Sequence, residues 1–444
     1  MLEKNQIIEL EITDFDYDGF GISHFDNHTI FVSDALIGEK HLVKLLKVNK
    51  TIAFAKSEKI IIKSPNRVEP KCPYYKLCGG CNLMHLNYEE QLKVKVNALK
   101  NTLTKMIGEV KLEEVIKADR IWNYRNKISL PVGNYNNGLV TGFYQKRSHN
   151  IISANSCLIE QEGSRIIVQK ILKILEENNF SSYDELAFKG DIRHLVLRAN
   201  TRSEFMLIVV ANSNVECLIN VLKQVKIDNL VSIFINVNKM HNNVILSDEY
   251  IHVNGSNYLE EVLFENVYQI HPNSFLQVNY QMMKKLYSKA IEVGNFNKDE
   301  IVLDAYCGIG TIGLSLANKV KEIIGVEIVP EAIKNAKENA KRNKIDNATF
   351  YLGAAEELIS DILKEKKIDT IILDPPRKGT TESFINAVAN NKIEKVIYIS
   401  CGPKSLARDL KMFLNLGYEI KSITPVDLFP HTSHIETIIG LYLK

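Results

Sequence analysis

The sequence contains no long apolar run; none approaches the ~20 residues of a membrane-spanning helix. It has almost no net charge, +2 from 55 Lys and Arg against 53 Asp and Glu, so overall charge points to no particular partner. It has no internal repeat and no low-complexity segment, which excludes solenoids and disordered arrays. Cysteine is sparse, seven in 444 residues, and that usage fits a reducing compartment better than a disulfide framework. The opening stretch, MLEKNQIIELEITDF, is acidic and alternating, unlike a signal or transit peptide. A cytoplasmic, membrane-free, monomeric protein is therefore expected. The remaining composition, 45% hydrophobic and 24% charged, is that of a globular chain long enough for two or three domains.

The chain is organised around IVLDAYCGIGTIGLSLA, residues 301–317. A short apolar run ends in an acid, then a glycine-rich turn, then helical apolar spacing. Gly308, Gly310 and Gly313 spell G-x-G-x-x-G in that strand–turn–helix setting, which is the context that gives the motif meaning. Glycines there let backbone approach a ligand, and the following helix offers unpaired N–H groups. Glu327 ends the next strand about 20 residues on, where an acid grips ribose hydroxyls. A nucleoside-bearing cofactor is implied, without saying which.

Taken in order, residues 5–60 alternate apolar and polar residues over five short runs separated by turn signals. They predict a small OB-like β-barrel over residues 1–63. Residues 64–265 read as a central α/β domain whose strands carry Arg and aromatic residues. Between 61 and 150 basic residues outnumber acidic ones about two to one, a pattern that suits a polyanion as well as a plain solvated face. Cys217 lies on the apparent apolar face of a helix and reads as a packed core thiol. From 266 to 444 strands and helices alternate as in a doubly wound parallel sheet, with ligands expected at its carboxyl edge. In HPNSFLQVN (271–279), Asn273 suits a helix cap or a ligand contact.

Within the central region, PKCPYYKLCGGCNLMHL sets Cys72, Cys78 and Cys81 in a Cys-x5-Cys-x2-Cys pattern. This is a metal or cluster half-site that lacks one ligand. Cys157 and His85 are the candidates for it. Zinc sites usually arrive as two spaced pairs, and no second pair is present, so a 4Fe–4S cluster with Cys157 fits better than zinc.

Three strand ends carry the remaining chemistry. Leu373-Asp374-Pro375-Pro376-Arg377 locks the backbone extended and forms a platform for a planar ring, or simply stops a strand. Ser400-Cys401-Gly402-Pro403 puts a thiol just before a helix, where the thiolate is favoured and a nucleophile is expected. Glu436, set among Ile435, Ile438 and Ile439, fits a partly desolvated general base, though strand-edge acids are common. His431 and His434 either steer the same site or lie on the surface.

Together CPYYKLCGGC, SFLQVN, DAYCGIGTIGL, LDPPRKG, ISCGP and HIET make the chain resemble bacterial S-adenosylmethionine-dependent RNA 5-methyluridine methyltransferases. The likeness spans essentially the whole chain and is to the type with an N-terminal TRAM barrel and an iron–sulfur cluster. It implies Cys401 as nucleophile and Glu436 as base. It implies cofactor contacts from Gln277, Tyr306, Glu327 and Asp374, beside the glycine loop with Gly308 and Gly310. It implies a 4Fe–4S cluster on Cys72, Cys78, Cys81 and Cys157. In that family the barrel and cluster accompany action on large-subunit ribosomal RNA, so a 23S ribosomal uridine is expected as substrate, with tRNA as the alternative. A nicotinamide-dependent oxidoreductase explains the glycine motif but not Asp374-Pro375-Pro376 or Cys401. A non-catalytic zinc- and RNA-binding protein explains only the barrel and the cysteines.

Overall fold

The computed structural model describes residues 2–136, 138–146 and 148–444, and contains three sheets of six or seven strands. The first holds six strands, Ile7–Glu11, Asp14–Phe15, Gly21–Phe25, His28–Ser33, Lys40–Val48 and Ile52–Ile62. Five were expected; Asp14–Phe15 is too short to leave an alternating pattern. Ile7–Glu11 pairs with Lys40–Val48, and Asp14–Phe15, starting three residues after Glu11, pairs with Gly21–Phe25, so one run of chain holds both ends and the sheet rolls shut. Ile8 and Leu10 alternate inward to join Ile30, Val32, Val43 and Leu45. Buried Glu39 receives hydrogen bonds from the Arg67 guanidinium and the Ser64 N–H, tying the next segment to the barrel.

The second sheet runs, edge to edge, Tyr250–Gly255, Leu230–Val237, Phe205–Ala211, Ile192–Ala199, Lys127–Tyr135, Gly138–Tyr144 and Ile151–Ser153. Helices Ser164–Glu177 and Val215–Leu222 pack on one face through Val168, Ile171, Leu218 and Leu222. Cys217 is exposed, contrary to the sequence reading. The buried stripe of its helix is Leu218 and Leu222, four apart, and Cys217 sits one residue, about 100°, off that stripe. Helix Tyr88–Ile107, capped by Asn87, turns away from this sheet and lays Leu99 and Leu103 beside Leu406, Leu410 and Phe413.

The third sheet has the order Ala348–Leu352, Glu322–Glu327, Ile301–Asp304, Thr370–Leu373, Lys395–Ser400, Glu436–Leu443, Tyr418–Val426. Its first five strands are parallel and the sixth runs against them. Thr370–Leu373 and Lys395–Ser400 are buried throughout, because helices cover both faces. This is the α/β architecture the sequence predicts. The strand order reverses beside Ile301–Asp304, which opens a crevice at the carboxyl edge. Among the described residues no helix is long and apolar enough to cross a membrane.

Candidate active site

The glycine loop forms the floor of that crevice. Gly308 and Gly310 adopt φ of +55° and +82°, a region costly for any residue with a Cβ. A Cβ on Gly308 would meet nothing within 4 Å, so the turn faces open space. Gly313 has the opposite role: a Cβ there would lie 2.9 Å from Ile323, so its absence lets helix Thr311–Leu316 seat on the next strand. The Gly313 N–H donates to Asp304 at 3.0 Å. Glu327 accepts the N–H groups of Gly308 (3.1 Å) and Val329 (3.0 Å), which fixes its carboxylate at the crevice rim.

Tyr306 enters the crevice from the end of strand Ile301–Asp304. Its hydroxyl is hydrogen-bonded to Glu356 (2.7 Å) and Thr380 (3.0 Å), which leaves the ring as the surface it can offer a ligand. Gln277 is buried on the loop before helix Tyr280–Gly294, and its backbone carbonyl accepts from Asn126 at 3.1 Å. Its side-chain amide faces Asp374. Burial pushes the Asp374 carboxyl up to about 7, and the Gln277 amide works against that rise. Asn279, not Asn273, caps the helix; Asn273 instead accepts the Tyr250 hydroxyl at 3.4 Å.

Sheet register brings the two reactive candidates together. Ser400 pairs with Thr437 across antiparallel strands, so one step further Cys401 stands opposite Glu436. Residues opposite one another in such a pair share a face. Cys401 is half-buried and Glu436 only 2% exposed. Burial raises the Glu436 carboxyl to about 8, with the Asp374 carboxylate adding to the rise and the Arg377 guanidinium opposing it. Burial, then the Glu436 and Asp374 carboxylates, push the Cys401 thiol up to about 12, again against Arg377. The thiolate-favouring environment expected from the helix start is thus outweighed by burial and the two carboxylates. Gly402 is required for this arrangement, since a Cβ there would sit 2.8 Å from the Arg377 carbonyl.

Residues 430–434, just before Glu436, are clamped from outside the sheet. Asn82, next to Cys81, donates to Ser433 Oγ (3.0 Å) and accepts the Ser433 N–H (2.8 Å). The backbone N–H groups of Asn82 and Leu83 donate to the His431 carbonyl. His431 stacks on Trp122 at 3.9 Å between centroids, and its N–H donates to Gln91 at 3.0 Å. His434 lies 3.3 Å from Arg377. Burial first, with nearby cations, holds both imidazoles down near about 4, so both are neutral at pH 7. A fully buried Lys95–Asp427 pair at 2.6 Å joins helix Tyr88–Ile107 to the chain just ahead of that segment. His431 is therefore buried rather than a surface residue.

Cys72, Cys78, Cys81 and Cys157 line one cavity of about 590 Å³, whose wall also includes Arg125, Gln277, Arg377 and His434. All four thiols are free. They are mutual neighbours: after burial, Cys157, Cys78 and Cys72 are what push the Cys81 thiol up to about 12. His85, the other candidate fourth ligand, does not line the cavity; it is buried and bonded to the Tyr75 hydroxyl. Among the described residues no three His, Cys, Asp or Glu side chains gather so as to hold a single metal ion.

Three residues of this site were not singled out from the sequence. Arg377 was visible inside LDPPRKG but had no assigned task. Tyr17 and Asn82 carry no local signal, because their contacts lie 384 and 351 residues away.

A family model described as tRNA (uracil-5-)-methyltransferase matches residues 87–444. An uncharacterized RNA methyltransferase of Listeria innocua is 41% identical, over 100% of this chain and 99% of its own. One from Clostridium tetani is also 41% identical, over 99% and 96%. Among solved structures, the Pyrococcus abyssi tRNA (uracil-54, C5)-methyltransferase in complex with S-adenosyl-L-homocysteine superposes with a TM-score of 0.78. It is 29% identical and the match covers 98% of this chain and 99% of that one.

Proposed function

The chain belongs to the tRNA (uracil-5-)-methyltransferase family of S-adenosylmethionine-dependent RNA methyltransferases, and on that footing we propose that it methylates carbon 5 of one uridine through a covalent Cys401 adduct. The observation that carries the mechanism is the register placing Cys401 opposite Glu436, beside Asp374 and Arg377. Carbon 5 of uracil is too weak a nucleophile to take a methyl group unaided. Addition of the Cys401 thiolate to carbon 6 drives the ring electrons toward oxygen 4 and makes carbon 5 nucleophilic. Carbon 5 takes the methyl from the sulfonium, which leaves as a neutral thioether. The Glu436 carboxylate then removes the carbon 5 proton, the carbon–sulfur bond breaks, and the thiolate is restored. The thiol that burial and two carboxylates keep protonated gains a positive neighbour when the sulfonium binds, which lowers its pKa. The target base reaches this edge only by leaving its stack.

Gln277, Tyr306, Glu327, Asp374 and the turn at Gly308 and Gly310 would hold the methyl donor. The open space over Gly308 and the fixed Glu327 carboxylate support that assignment. Cys72, Cys78, Cys81 and Cys157 would hold a 4Fe–4S cluster. Four free thiols round one void fit a cube that takes one thiolate at each iron corner. The cluster would supply a structural cross-link, and no step above passes through it.

Ribosomal RNA is the substrate we propose first, from the family resemblance. The barrel does not decide it, because the match to the Pyrococcus abyssi enzyme runs over nearly the whole of both chains. That match favours a second reading, a tRNA uridine. Mass spectrometry of ribosomal and transfer RNA from a deletion strain separates the two. Loss of 5-methyluridine from one RNA names the substrate, and unchanged content in both refutes the activity.

A further inference from the structure

Three cavities adjoin in series away from the catalytic edge. The thiol-lined cavity shares Gly80 and Phe143 with a second, which also has Lys146 in its wall. The second shares Tyr144 and His149 with a third of about 460 Å³, in the range of a small-ligand site. The third lies among Tyr183, Phe188, Arg193, His194 and His241, on the second sheet and its loops.

We infer that this third cavity binds an unstacked nucleobase of the substrate RNA, on the strand leading away from the methylated uridine. The inference rests on the RNA methyltransferase reading. Its walls are aromatic: Phe188 stacks on His241 at 4.2 Å and 15°, and the Arg193 guanidinium lies 4.8 Å over the Tyr183 ring. Its inner wall is polar and unsatisfied. Arg193 and His194 are 6% and 5% exposed, yet Arg193 Nε and His194 Nδ1 have no hydrogen-bond partner. Buried polar atoms are almost always paired, so two such atoms in one cavity point to a missing ligand. The charges are already engaged. Glu185 accepts from the Tyr144 hydroxyl (2.9 Å) and His149 (2.8 Å), and Asp184 accepts the N–H groups of Leu186 (2.8 Å) and Ala187 (3.0 Å). The outer nitrogens of Arg193 donate to the carbonyls of Asn238, Met240 and Asn242. A phosphate finds little free charge there. A neutral planar ring with a hydrogen-bonding edge finds stacking faces and two buried, unpaired polar atoms in the wall.

The loop is built to hold its aromatic group in place. Phe188 adopts φ of +54°, a strained setting for a bulky residue, and is 47% exposed. The Asp184 N–H bond to the Lys189 carbonyl at 2.7 Å closes the loop beneath it. Phe143, Tyr144 and His149 then line the route from the cysteines to this cavity, as a sequence-tolerant stacking track would.

The test compares wild type with a Phe188→Ala, His241→Ala double variant on two probes. One is the naked transcript that the wild type methylates; the other is a short oligonucleotide holding the same uridine but too short to leave the first cavity. The variant should raise KM on the transcript about tenfold or more, leave kcat unchanged, and behave as wild type on the oligonucleotide. An unchanged KM on the transcript overturns the inference. So does an equal loss on both probes. A wild type that methylates no RNA would refute the proposed activity instead.

Discussion

The hydroxyl of Tyr17 donates a hydrogen bond of 3.2 Å to the backbone carbonyl of Cys401, 384 residues further along the chain. The rolled N-terminal sheet thus touches the candidate nucleophile directly. Burial raises the Tyr17 phenol to about 12, so it remains a donor throughout the working pH range. Tyr17→Phe removes one hydrogen bond, worth roughly 1 kcal/mol. Methyl transfer should slow about fivefold while S-adenosylmethionine affinity, read by calorimetry, stays as in wild type.

The two reactive candidates should fail differently. Without the thiol carbon 5 is never activated, so Cys401→Ala should give neither product nor adduct. Without the base, addition and methyl transfer proceed but elimination does not. Glu436→Ala should therefore accumulate a methylated RNA–protein complex that survives denaturing electrophoresis. RNA carrying 5-fluorouridine should trap the wild type in the same way. An adduct on Cys401→Ala would place the nucleophile elsewhere.

Glu436 also sets a pH dependence. A base must be ionised, and with its pKa raised to about 8 the rate of the elimination step should climb with pH toward 8. Stability moves the other way. The folded state keeps a proton that the unfolded chain releases near the ordinary 4.5, so stability falls as pH rises from there to about 8. Glu436→Gln should remove Glu436's share of that slope, leaving the share of buried Asp374, and make the protein more stable at pH 8, by on the order of a few kcal/mol. Thermal melts of both proteins from pH 5 to 9 measure it. Parallel curves would mean that Glu436 is not held protonated.

Asn82 joins three parts of the molecule. Its amide donates to the Asp18 carbonyl (2.9 Å) and to Ser433 (3.0 Å), and its neighbour Cys81 lines the thiol cavity. Gly19, at φ +92°, leaves the room the amide occupies. Asn82→Ala should loosen residues 430–434 and lower kcat about tenfold, since each lost hydrogen bond is worth roughly 1 kcal/mol, with S-adenosylmethionine affinity intact. Single-turnover methylation beside cofactor titration separates the two effects. Loss of cofactor binding would show that the clamp serves the crevice instead.

Much of this was legible locally. Gly308, Gly310 and Gly313 read as a turn because only glycine tolerates that backbone and packing, and Pro375-Pro376 read as a strand end because proline cannot continue a helix. Both ends of helix Pro330–Arg342 carry local signals, Pro in its first turn and Lys341 and Arg342 in its last. Cys217 misled because Cys217 and Val221, four apart, extend the apolar side of a short helix beyond the buried Leu218 and Leu222, so periodicity did not single out the buried stripe. The Cys401 environment misled for another reason. A helix start favours a thiolate, but Glu436 and Asp374 arrive beside it only through sheet register. Tyr17, Asn82 and Arg377 act through contacts that no window along the chain contains.

The packing of helix Tyr88–Ile107 against the third sheet limits how the chain can be divided. A fragment of residues 266–444 keeps every strand of the cofactor sheet. It loses Leu99 and Leu103, which uncovers an oily stripe along helix Pro403–Asn415, and it strips Lys95 from buried Asp427. It also loses every outside group that grips residues 430–434. Such a fragment would be a sticky cofactor binder with an unmoored Glu436, so shuffling these parts between relatives should transplant competence only when all of them travel together.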